Sequence, residues 1–427
     1  MKILVANLGS TSFKYRLFDL PDEGGSDDVG LECELARGGV ERIGAAESRV
    51  YAAATGSISP TAASVKLEAV MPVPDHAVAL QAALTQLTGA GGPLQRIDDV
   101  AAIGFKAVHG GRISGVVRVS SDVLAAMDEV SQVAPAHNPP YVRAMRLLAE
   151  RLPNVPLVAA FETGFHATIP QRNALYAVPM EWVEKYQIKR WGFHGASHAF
   201  VSQRLSTLAS QRPLRAVICH LGGSSSVCWT LDGKSVGTSM GMSPQSGLPQ
   251  NNRAGDFDPF ALLHLATATG KSCEELLQAL STQCGLAGMS DTSGDMRDLE
   301  QAADLGHARA QVAIDVFVAS IRHWVGAGIV ELGGLDALAF TGGIGENSCR
   351  TRAAVCKGLV ELGIEIDATA NAALSTGLTS NQESEVGTKH SRVSLWVIPT
   401  NEELVVARQT RDLLAAEKKG SVCSLHS

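Results

Sequence analysis

A short pattern occurs twice in this chain, once near the start and again just past the middle. The first copy reads I-L-V-A-N-L-G-S-T-S at residues 3–12, and the second reads V-I-C-H-L-G-G-S-S-S at residues 217–226. Each copy has β-favouring residues, a polar residue and a Leu-Gly step before a Ser/Thr cluster, and a second strand-like run follows. Turns of this composition offer backbone N–H groups and hydroxyls at short range, which suits a phosphate. The repeat therefore favours two duplicated halves with a cleft that holds a phosphate chain.

A second pair of similar segments supports the duplication. Residues 99–111 and residues 336–347 both read as short buried strands that run into a pair of glycines. Strands that end in glycines are common in α/β proteins, so one such pair arises without duplication. Two pairs in the same order favour duplication. Strand patterns alternate with helical patterns along the chain, which indicates an α/β architecture.

Composition excludes several functional classes. A length of 427 residues favours about two domains. The net charge of −7 argues against nucleic acid as a partner. No apolar run approaches the ~18 residues of a membrane span, and the first apolar run is too short for a secretory signal. The eight cysteines are scattered, with neither a C-x-x-C pair nor zinc spacing, which is typical of reduced thiols in a cytoplasmic protein.

Periodicity and turn residues predict the positions of the main elements. Helices are predicted at 75–87, 121–133, 141–152, 197–209, 260–269, 273–284, an interrupted 302–332 and 401–417, and strands at 155–161 and 393–398. Residues 40–69 read as strands and turns, and residues 21–30 as a loop.

Histidines and one acid recur in short, turn-rich phrases. They are His109, His137, Glu162, His166, His194, His198 and His220. Any one of these histidines is more typical of a structural role. Because they share positions beside glycines at strand ends, where α/β folds collect their ligand sites, the set indicates a functional site. His194 and His198 lie four apart, but Gly195 follows the first, which disfavours a helical zinc face.

Arg253 lies in the phrase N-N-R-A-G-D-F-D-P. An arginine in such a loop can clamp a phosphate. The alternative is a surface ion pair with Asp256 or Asp258, and the sequence leaves both open.

Two further phrases have a structural and a functional interpretation. G-G-I-G-E-N at residues 342–347 follows a strand and can let backbone approach a nucleotide, although it is neither a P-loop nor a dinucleotide fingerprint. Asn401 before Glu402 and Glu403 is typical of an N-cap with first-turn acids. The same acids also suit Mg²⁺, which prefers carboxylates, waters and phosphates.

Together these phrases resemble the acetate kinase family, within the sugar kinase, heat-shock ATPase and actin superfamily. The matching motifs run in family order over nearly the whole chain. They are N-L-G-S-T-S-F-K (7–14), V-H-G-G (108–111), H-N-P (137–139), F-H (165–166), G-F-H-G-A-S-H (192–198), H-L-G (220–222), T-S-M-G (238–241), R-A-G-D-F-D-P (253–259), S-G-D-M-R-D-L-E (293–300), G-G-I-G-E-N-S (342–348) and T-N-E-E-L-V-V-A-R (400–408).

The resemblance implies two duplicated ribonuclease H-like (actin-like ATPase) α/β domains with a cleft between them. Residues 1–165 plus 402–427 would form an acyl-substrate and magnesium domain closed by the C-terminal helix. Residues 166–401 would form a nucleotide-binding and dimerisation domain. The implied activity is transfer of the ATP γ-phosphoryl group to acetate or another short carboxylate. Mg²⁺ (or Mn²⁺) is the implied metal, ATP and ADP are the co-substrates, and the implied assembly is a homodimer.

The resemblance also assigns roles to residues of this chain. The catalytic residues would be Glu162, His194, Arg253 and His137, and the metal ligands Asn7 and Glu402. The acid would contact Lys106, Val108, Ala136, Phe193 and Pro244. The nucleotide would contact Lys14, His220, Leu221, Gly222, Gly223, Ser224, Asp295, Met296, Arg297, Gly343, Ile344, Gly345, Glu346 and Asn347. In-line phosphoryl transfer needs positioning and charge neutralisation, and a carboxylate nucleophile has no proton to lose.

Some positions depart from the family pattern. Lys106 stands where the family usually has arginine, Glu162 where it has aspartate, and Gly223-Ser224 where it has Asn-Gly. Two alternatives follow: a phosphotransferase of the same fold that uses another donor, such as pyrophosphate, or a longer acid, and a nucleotide-binding protein without turnover. Ala136 replaces a usual leucine, which predicts a wider pocket in which propionate rivals acetate.

Overall fold

The chain folds into two compact units in this computed structural model. Unit 1 comprises Met1–Gly164 and Asn401–Ser427, and unit 2 comprises Phe165–Thr400. The structure describes residues 1–9, 11–22, 32–54, 66–89, 92–135, 137–209, 212–374 and 382–423.

Unit 1 is built on an eight-stranded sheet. Its strands are β1 (Lys2–Leu8), β2 (Ser12–Asp19), β3 (Cys33–Glu41), β4 (Ser48–Ala54), β5 (Lys66–Met71), β6 (Ala102–Ala107), β7 (Val116–Arg118) and β8 (Leu157–Phe161). The spatial order is β5-β4-β3-β2-β1-β6-β8-β7. Strands β1 to β5 pair antiparallel in sequence order, β6 and β8 run parallel to β1, and β7 closes the edge antiparallel to β8.

Unit 2 contains a six-stranded sheet of the same design. Its strands are β9 (Arg215–His220), β10 (Ser226–Leu231), β11 (Lys234–Thr238), β12 (Ala337–Thr341), β13 (Ser384–Glu385) and β14 (Ser394–Val397). The order β11-β10-β9-β12-β14-β13 reproduces β3-β2-β1-β6-β8-β7 of unit 1, and every neighbouring pair has the same sense. The predicted duplication and α/β class are confirmed by this matching topology.

The helices connect and cover the two sheets. They are α1 (His76–Thr88), α2 (Ser121–Glu129), α3 (Asn138–Arg151), α4 (Gln171–Ala174), α5 (Met180–Tyr186), α6 (Gly195–Leu208), α7 (Pro259–Thr269), α8 (Cys273–Thr282), α9 (Gly285–Ser290), α10 (Met296–Asp304), α11 (Ala308–Glu331), α12 (Gly342–Asn347), α13 (Cys349–Cys356), α14 (Ala368–Ala373) and α15 (Glu402–Cys423).

Strand β1 is buried on both of its faces, which explains its unbroken apolar sequence. Leu4 and Leu8 belong to one core with residues of α1 and α3, whereas Ile3 and Val5 belong to a second core with residues of α15. Central strands that helices cover on both faces lose the apolar-polar alternation of half-exposed strands. Both repeats therefore read as continuous hydrophobic runs, since β9 divides its residues between two cores in the same way.

Each predicted helix is present, although some ends differ, whereas the short helices α4, α5, α9, α12, α13 and α14 were not predicted. Helix α2 ends at Glu129, before the predicted residue 133, and α15 continues to Cys423, past the predicted 417. The predicted interruption of 302–332 lies between α10 and α11, where Gly306 adopts a φ of 86°. A left-handed residue ends a helix, and glycine adopts this conformation without steric cost. Most of the loop predicted at 21–30 lies outside the described residues.

Helix α11 is long and apolar enough, by length and composition, to cross a membrane. Its Ala313, Phe317 and Ile321 are fully buried in the main core of unit 2. Of its most apolar stretch, 33% is buried, and a helix that packs in the core of a protein passes the same test as a membrane span.

Candidate active site

Predicted site residues in both units lie at or next to the carboxyl ends of parallel strands. In unit 1, Asn7 is near the end of β1, Lys106 near the end of β6, and Glu162 directly follows β8. In unit 2, His220 ends β9 and is paired with Thr341 at the end of β12. Parallel strands bring their carboxyl ends to one edge of a sheet, which is where α/β folds bind ligands.

A cluster of charged side chains surrounds Lys106 in unit 1. The Lys106 ammonium contacts a carboxylate oxygen of Glu402, and its Nζ lies 4.0 Å from Oε1 of Glu162. The three side chains are only 18%, 13% and 5% exposed, respectively. Burial by itself would lower the pKa of Lys106, but the carboxylates of Glu402 and Glu162 raise it well above its ordinary value. Lys106 therefore stays charged.

Asn7 belongs to the same cluster. The Tyr141 hydroxyl donates to Asn7 Oδ1 at 3.2 Å, and Asn7 Nδ2 donates to Glu403 Oε1 at 3.4 Å. The backbone N–H of Leu8 donates to the Tyr141 oxygen at 3.0 Å. These bonds orient the Asn7 amide. Lys14 is paired directly with Asn7 across the β1–β2 hairpin, so both side chains lie on one face of the sheet.

The structural interpretation of Asn401 is confirmed. Its Oδ1 accepts from the Leu404 N–H at 3.2 Å, as an N-cap of α15 does. The functional interpretation of the neighbouring acids stays a prediction, since Glu402 and Glu403 point their carboxylates into the cluster of Lys106 and Asn7.

The oxygen donors of this cluster fit Mg²⁺. Carboxylates and an amide oxygen are hard ligands, and Mg²⁺ binds through one or two carboxylates while it keeps waters and phosphate oxygens. Among the described residues, no group of three or more His, Cys, Asp or Glu side chains is arranged to enclose a metal. Asn7 and Glu402 thus suit a magnesium ion that arrives with phosphate rather than a fully protein-enclosed ion.

The other predicted unit 1 residues lie in connections between elements, Val108 between β6 and β7 and His137 between α2 and α3. Val108 is 8% exposed and directly follows β6, and His137 directly precedes α3. Ala136 lies outside the described residues. His109 has a structural partner, because its Nδ1 accepts from the Gly111 N–H at 3.0 Å.

His194 has an unusual backbone conformation in unit 2. It precedes α6 with φ 57° and ψ 29°, the left-handed region that non-glycine residues seldom adopt. Its Nδ1 lies 2.9 Å from Ser226 Oγ, and its ring stacks on His220 with centroids 4.3 Å apart. Such strain persists where the surrounding structure holds a side chain in place, often at a functional site.

Three other side chains complete this histidine cluster. His220 Nδ1 lies 2.8 Å from Ser197 Oγ, and His198 Nε2 lies 2.8 Å from Ser226 Oγ. Burial lowers the pKa of His166 to about 4, and burial together with the neighbouring His166 and His220 holds the pKa of His198 well below its ordinary value. His166 and His198 are therefore neutral, and His166 bridges Ser235 Oγ and the Phe193 carbonyl at 2.9 Å each.

Arg253 is held by neutral acceptors. Its Nη1 donates to Gln250 Oε1 at 2.9 Å and, at 3.4 Å, to Ser224 Oγ and to the Pro244 carbonyl. No carboxylate of the described residues forms a salt bridge with it. Burial lowers the pKa of Arg253, although not far enough for a guanidinium to lose its proton.

The predicted alternative for Arg253 is wrong. Asp256 Oδ1 accepts from the Gly247 N–H at 2.8 Å, and Asp258 caps α7 by accepting from the Phe260 N–H at 2.9 Å. Both carboxylates accept from backbone N–H groups, and neither forms the ion pair that the sequence allowed.

The two glycine-rich segments of unit 2 are hydrogen-bonded to each other. The Leu221 carbonyl accepts from the N–H groups of Ile344 and Gly345 at 2.8 and 3.1 Å. Within the first segment, the Gly222 N–H donates to Ser225 Oγ at 3.1 Å, and the Asn251 N–H donates to the Gly223 carbonyl at 3.2 Å. Residues 221–224 and 342–347 therefore form one backbone surface.

Glycine is required at one position of this surface and leaves space at the next. Gly342 has φ 78°, and a Cβ there would lie 2.7 Å from the Leu221 carbonyl oxygen. A Cβ on Gly343 would meet no atom within 4 Å. The open side of Gly343 is where a ligand can approach the backbone.

The side chains of the second segment brace it from within. Glu346 Oε1 accepts from the Gly342 N–H at 2.9 Å, and Asn347 Nδ2 donates to the Gly343 carbonyl at 2.8 Å. Arg352 is fully buried and donates to the carbonyls of Gly345 and Glu346 at 2.8 and 2.9 Å. Sequence reasoning missed Arg352, because its motif gives no signal that an arginine is buried.

The remaining predicted nucleotide residues begin α10. Asp295 caps this helix by accepting from the Arg297 N–H at 2.9 Å, and its pairing with the Arg297 side chain lowers its pKa to about 2. The Met296 side chain belongs to the core of unit 2, whereas that of Arg297 is 88% exposed. Phe193 is 2% exposed beside His194, and Pro244 is buried beside Arg253.

Comparison with known families gives a match over nearly the whole chain. Residues 2–408 match the model of the acetokinase family. An acetate kinase of Shouchella clausii is 39% identical over 412 residues, which cover 96% of this chain and 98% of that protein. A propionate kinase of Citrobacter rodentium is 40% identical over 422 residues, 97% of this chain and 98% of that protein.

Solved structures give the same result. The crystal structure of an acetate kinase from Porphyromonas gingivalis matches with a TM-score of 0.82 and 32% identity, over 97% of this chain and 99% of that one. A propionate kinase from Francisella tularensis matches with a TM-score of 0.83 and 31% identity, over 96% and 98%. Their similarity extends over both units described above.

Proposed function

This chain belongs to the acetokinase family, and we propose that it catalyses the reversible, Mg²⁺-dependent transfer of the γ-phosphoryl group of ATP to acetate or propionate. The enzyme is a kinase that phosphorylates a carboxylate. A carboxylate oxygen bonds to the γ-phosphorus while the bond from that phosphorus to the leaving oxygen of ADP breaks. The products are an acyl phosphate and ADP.

The observation that carries this proposal is the environment of Arg253. A partly buried guanidinium held by Gln250, Ser224 and Pro244, with no carboxylate partner in the described part of the chain, keeps its positive charge for an anion. The transferring phosphoryl group spreads negative charge over its equatorial oxygens, and a pre-positioned arginine stabilises that charge. Such an arginine is costly in a resting protein and useful to a kinase.

We assign the nucleotide to unit 2. Residues 221–224 and 342–347 are joined by backbone hydrogen bonds, and the open side of Gly343 allows the nucleotide to approach this backbone closely. His194 is proposed to donate a hydrogen bond to the phosphoryl group, with His220 beside it. Asp295, Met296 and Arg297 are proposed to border the nucleotide through the start of α10.

We assign the metal and the acid to unit 1. Asn7 and Glu402 would hold Mg²⁺, whose bound form neutralises phosphate charge. Lys106 keeps a positive charge for the carboxylate substrate, and Glu162, whose Oε1 lies 4.0 Å from Lys106 Nζ, helps to stabilise that charge. Val108 is also proposed to contact the acid, whereas Lys14 and His137 are proposed to lie near the phosphates.

A homodimer formed through unit 2 is part of the proposal. Helix α7 has an apolar sequence, yet none of its residues is buried, and Phe260 and Leu263 are 76% and 59% exposed. An exposed apolar helix favours a protein partner, and a second copy would cover it in a symmetric assembly. We also infer a cytoplasmic location, supported by free thiols such as the buried Cys219 and Cys228.

The direct test measures product with several acids. Purified protein is incubated with Mg²⁺-ATP and acetate, propionate, butyrate or no acid, and the acyl phosphate is trapped with hydroxylamine. Acid-dependent product is the expected result. Product with pyrophosphate but not with ATP would show that pyrophosphate is the phosphoryl donor. Tight ATP binding without product from any acid would indicate a nucleotide-binding protein without turnover.

A variant at Ala136 tests the preference between acetate and propionate. Ala136→Leu should shift the preference from propionate towards acetate by about fourfold, because one buried methylene contributes ~0.8 kcal/mol. A strong acetate preference that this substitution leaves unchanged would contradict a pocket widened by Ala136.

A further inference from the structure

Ser226 lies between two histidine rings in unit 2, and its hydroxyl contacts both. Its Oγ is 2.9 Å from His194 Nδ1 and 2.8 Å from His198 Nε2. Both Ser226 and His198 are fully buried. A serine hydroxyl has one proton to donate, so it can donate to only one of two neutral rings and must accept from the other.

His198 decides between the two possible directions. Its Nδ1 is buried and has no hydrogen-bond partner among the residues that the structure describes. If that nitrogen carried the ring proton, a buried N–H donor would have no acceptor. Native structures contain fewer buried donors without an acceptor than buried acceptors without a donor. His198 is neutral, since burial and the nearby His166 and His220 keep its pKa low. Its proton therefore belongs on Nε2, which donates to Ser226.

The direction of the remaining bond follows. Since Ser226 accepts from His198, its own proton is donated to Nδ1 of His194. A neutral His194 that accepts at Nδ1 carries its proton on Nε2. We propose that His198 and Ser226 are positioning residues that hold His194 in the neutral Nε2–H tautomer, so that His194 donates a hydrogen bond to the phosphoryl group without being an imidazolium.

The same connection opposes protonation of His194. An imidazolium would donate from Nδ1 to Ser226, Ser226 would have to donate to His198 Nε2, and His198 would have to move its proton to the unpartnered Nδ1. The titratable side chains that contact the His194 ring from α6 and β9 are His198 and His220, and a charge on either would add to the opposition.

This inference rests on the proposed function only where it says that His194 donates to a phosphoryl group. The tautomer of His194 can be measured without turnover. We would label the histidines with ¹⁵N, assign His194 and His198 through the variants His194→Asn and His198→Asn, and read the ring nitrogens by long-range ¹⁵N–¹H correlation. In the wild type, a protonated Nε2 and a bare Nδ1 on His194 are expected. A protonated Nδ1 on His194, alone or together with Nε2, would overturn the proposal.

The Ser226 variants test the connection. Ser226→Ala should let His194 exchange between tautomers and lower kcat by about tenfold or more with little change in the KM for ATP. Ser226→Thr keeps the hydroxyl and should restore both the ¹⁵N signature and kcat. If Ser226→Ala keeps the wild-type signature of His194, the positioning role is wrong.

A matched control comes from the neighbouring pair. Ser235 Oγ lies 2.9 Å from His166 Nδ1, equally buried but not in contact with His194. Ser235→Ala should leave the His194 signals in place. If no acyl phosphate forms in any variant or in the wild type while His194 shows the expected tautomer, the proposed function fails and the tautomer assignment stands.

Discussion

The ammonium of Lys106 and the carboxylate of Glu402 form an ion pair between residues 296 positions apart in the sequence. Lys106 lies near the end of β6, and Glu402 is the first residue of α15. The pair therefore joins the C-terminal helix to the strand end where Asn7 and Glu162 also lie. Together these side chains form the cluster to which we assign the metal and the acid.

Removal of Lys106 is expected to destabilise unit 1. Lys106→Met would leave two buried carboxylates without their cation and lower the free energy of unfolding by about 3 kcal/mol, measured by urea denaturation without Mg²⁺. Adding Glu402→Gln should recover part of this loss. The exposed pair of Arg118 and Glu417 is the control, since Arg118→Met should cost less than about 1 kcal/mol. Strictly additive effects of Lys106→Met and Glu402→Gln would contradict the pairing.

Arg253 should matter for turnover far more than for folding. Arg253→Gln is expected to lower kcat on the order of 10³-fold, because a transition-state charge loses its counter-charge. The thermal midpoint should stay within about 3 °C, since no carboxylate is left unpaired. Arg350→Gln, which removes an arginine from an exposed pair with Asp304, is the control and should leave both quantities unchanged. A kcat within about tenfold of wild type would exclude Arg253 from catalysis.

Two adjacent glycines should respond differently to alanine. Gly342→Ala places a Cβ against the Leu221 carbonyl at a positive φ and should cost about 1–3 kcal/mol of stability. Gly343→Ala meets no protein atom, so stability should hold while the KM for ATP rises severalfold. Steady-state kinetics and urea denaturation of both variants check this. An unchanged KM in Gly343→Ala would show that the nucleotide does not approach this backbone.

His166 should make stability depend on pH. Its pKa is about 4 in the folded protein against 6.5 as the ordinary value, so the unfolded chain binds more protons between these values. Stability therefore falls as the pH falls through this window, by up to about 3 kcal/mol from this residue. His166→Gln should show a smaller loss of unfolding free energy between pH about 7 and about 4.5. If the variant loses as much unfolding free energy as the wild type over this pH range, groups other than His166 cause the pH dependence.

The exposed face of α7 should control assembly. Phe260→Asp combined with Leu263→Asp places charges on the face proposed to meet a second copy, and sedimentation should then show a shift from dimer to monomer. Circular dichroism should remain that of a folded protein, because neither side chain is buried. Val70→Asp, at a 65% exposed position in unit 1, is the control and should leave the assembly unchanged. If the double variant remains dimeric, the dimer interface does not involve this face of α7.

The sequence alone determined the duplicated α/β architecture and the neighbourhood of the site. Repeated apolar runs followed by Leu-Gly turns are local signals, and parallel strands carry their carboxyl ends to a common edge whatever the details of packing. The motifs therefore predicted that Asn7 and His220 lie at such an edge, and both are found near the carboxyl ends of their strands. Asn401 was identifiable as a helix cap, because an N-cap depends on residues only three apart.

The partners and the protonation state of each charged or titratable group became apparent only from the three-dimensional packing. Lys106 meets Glu402, Ser226 lies between His194 and His198, and Asp256 and Asp258 turn away from Arg253 towards backbone groups. Arg352, which the motifs did not reveal, is buried against the carbonyls of Gly345 and Glu346. Charge, protonation and tautomer depend on burial and on partners that long-range packing brings together. The local pattern of residues predicts neither the burial nor the partners.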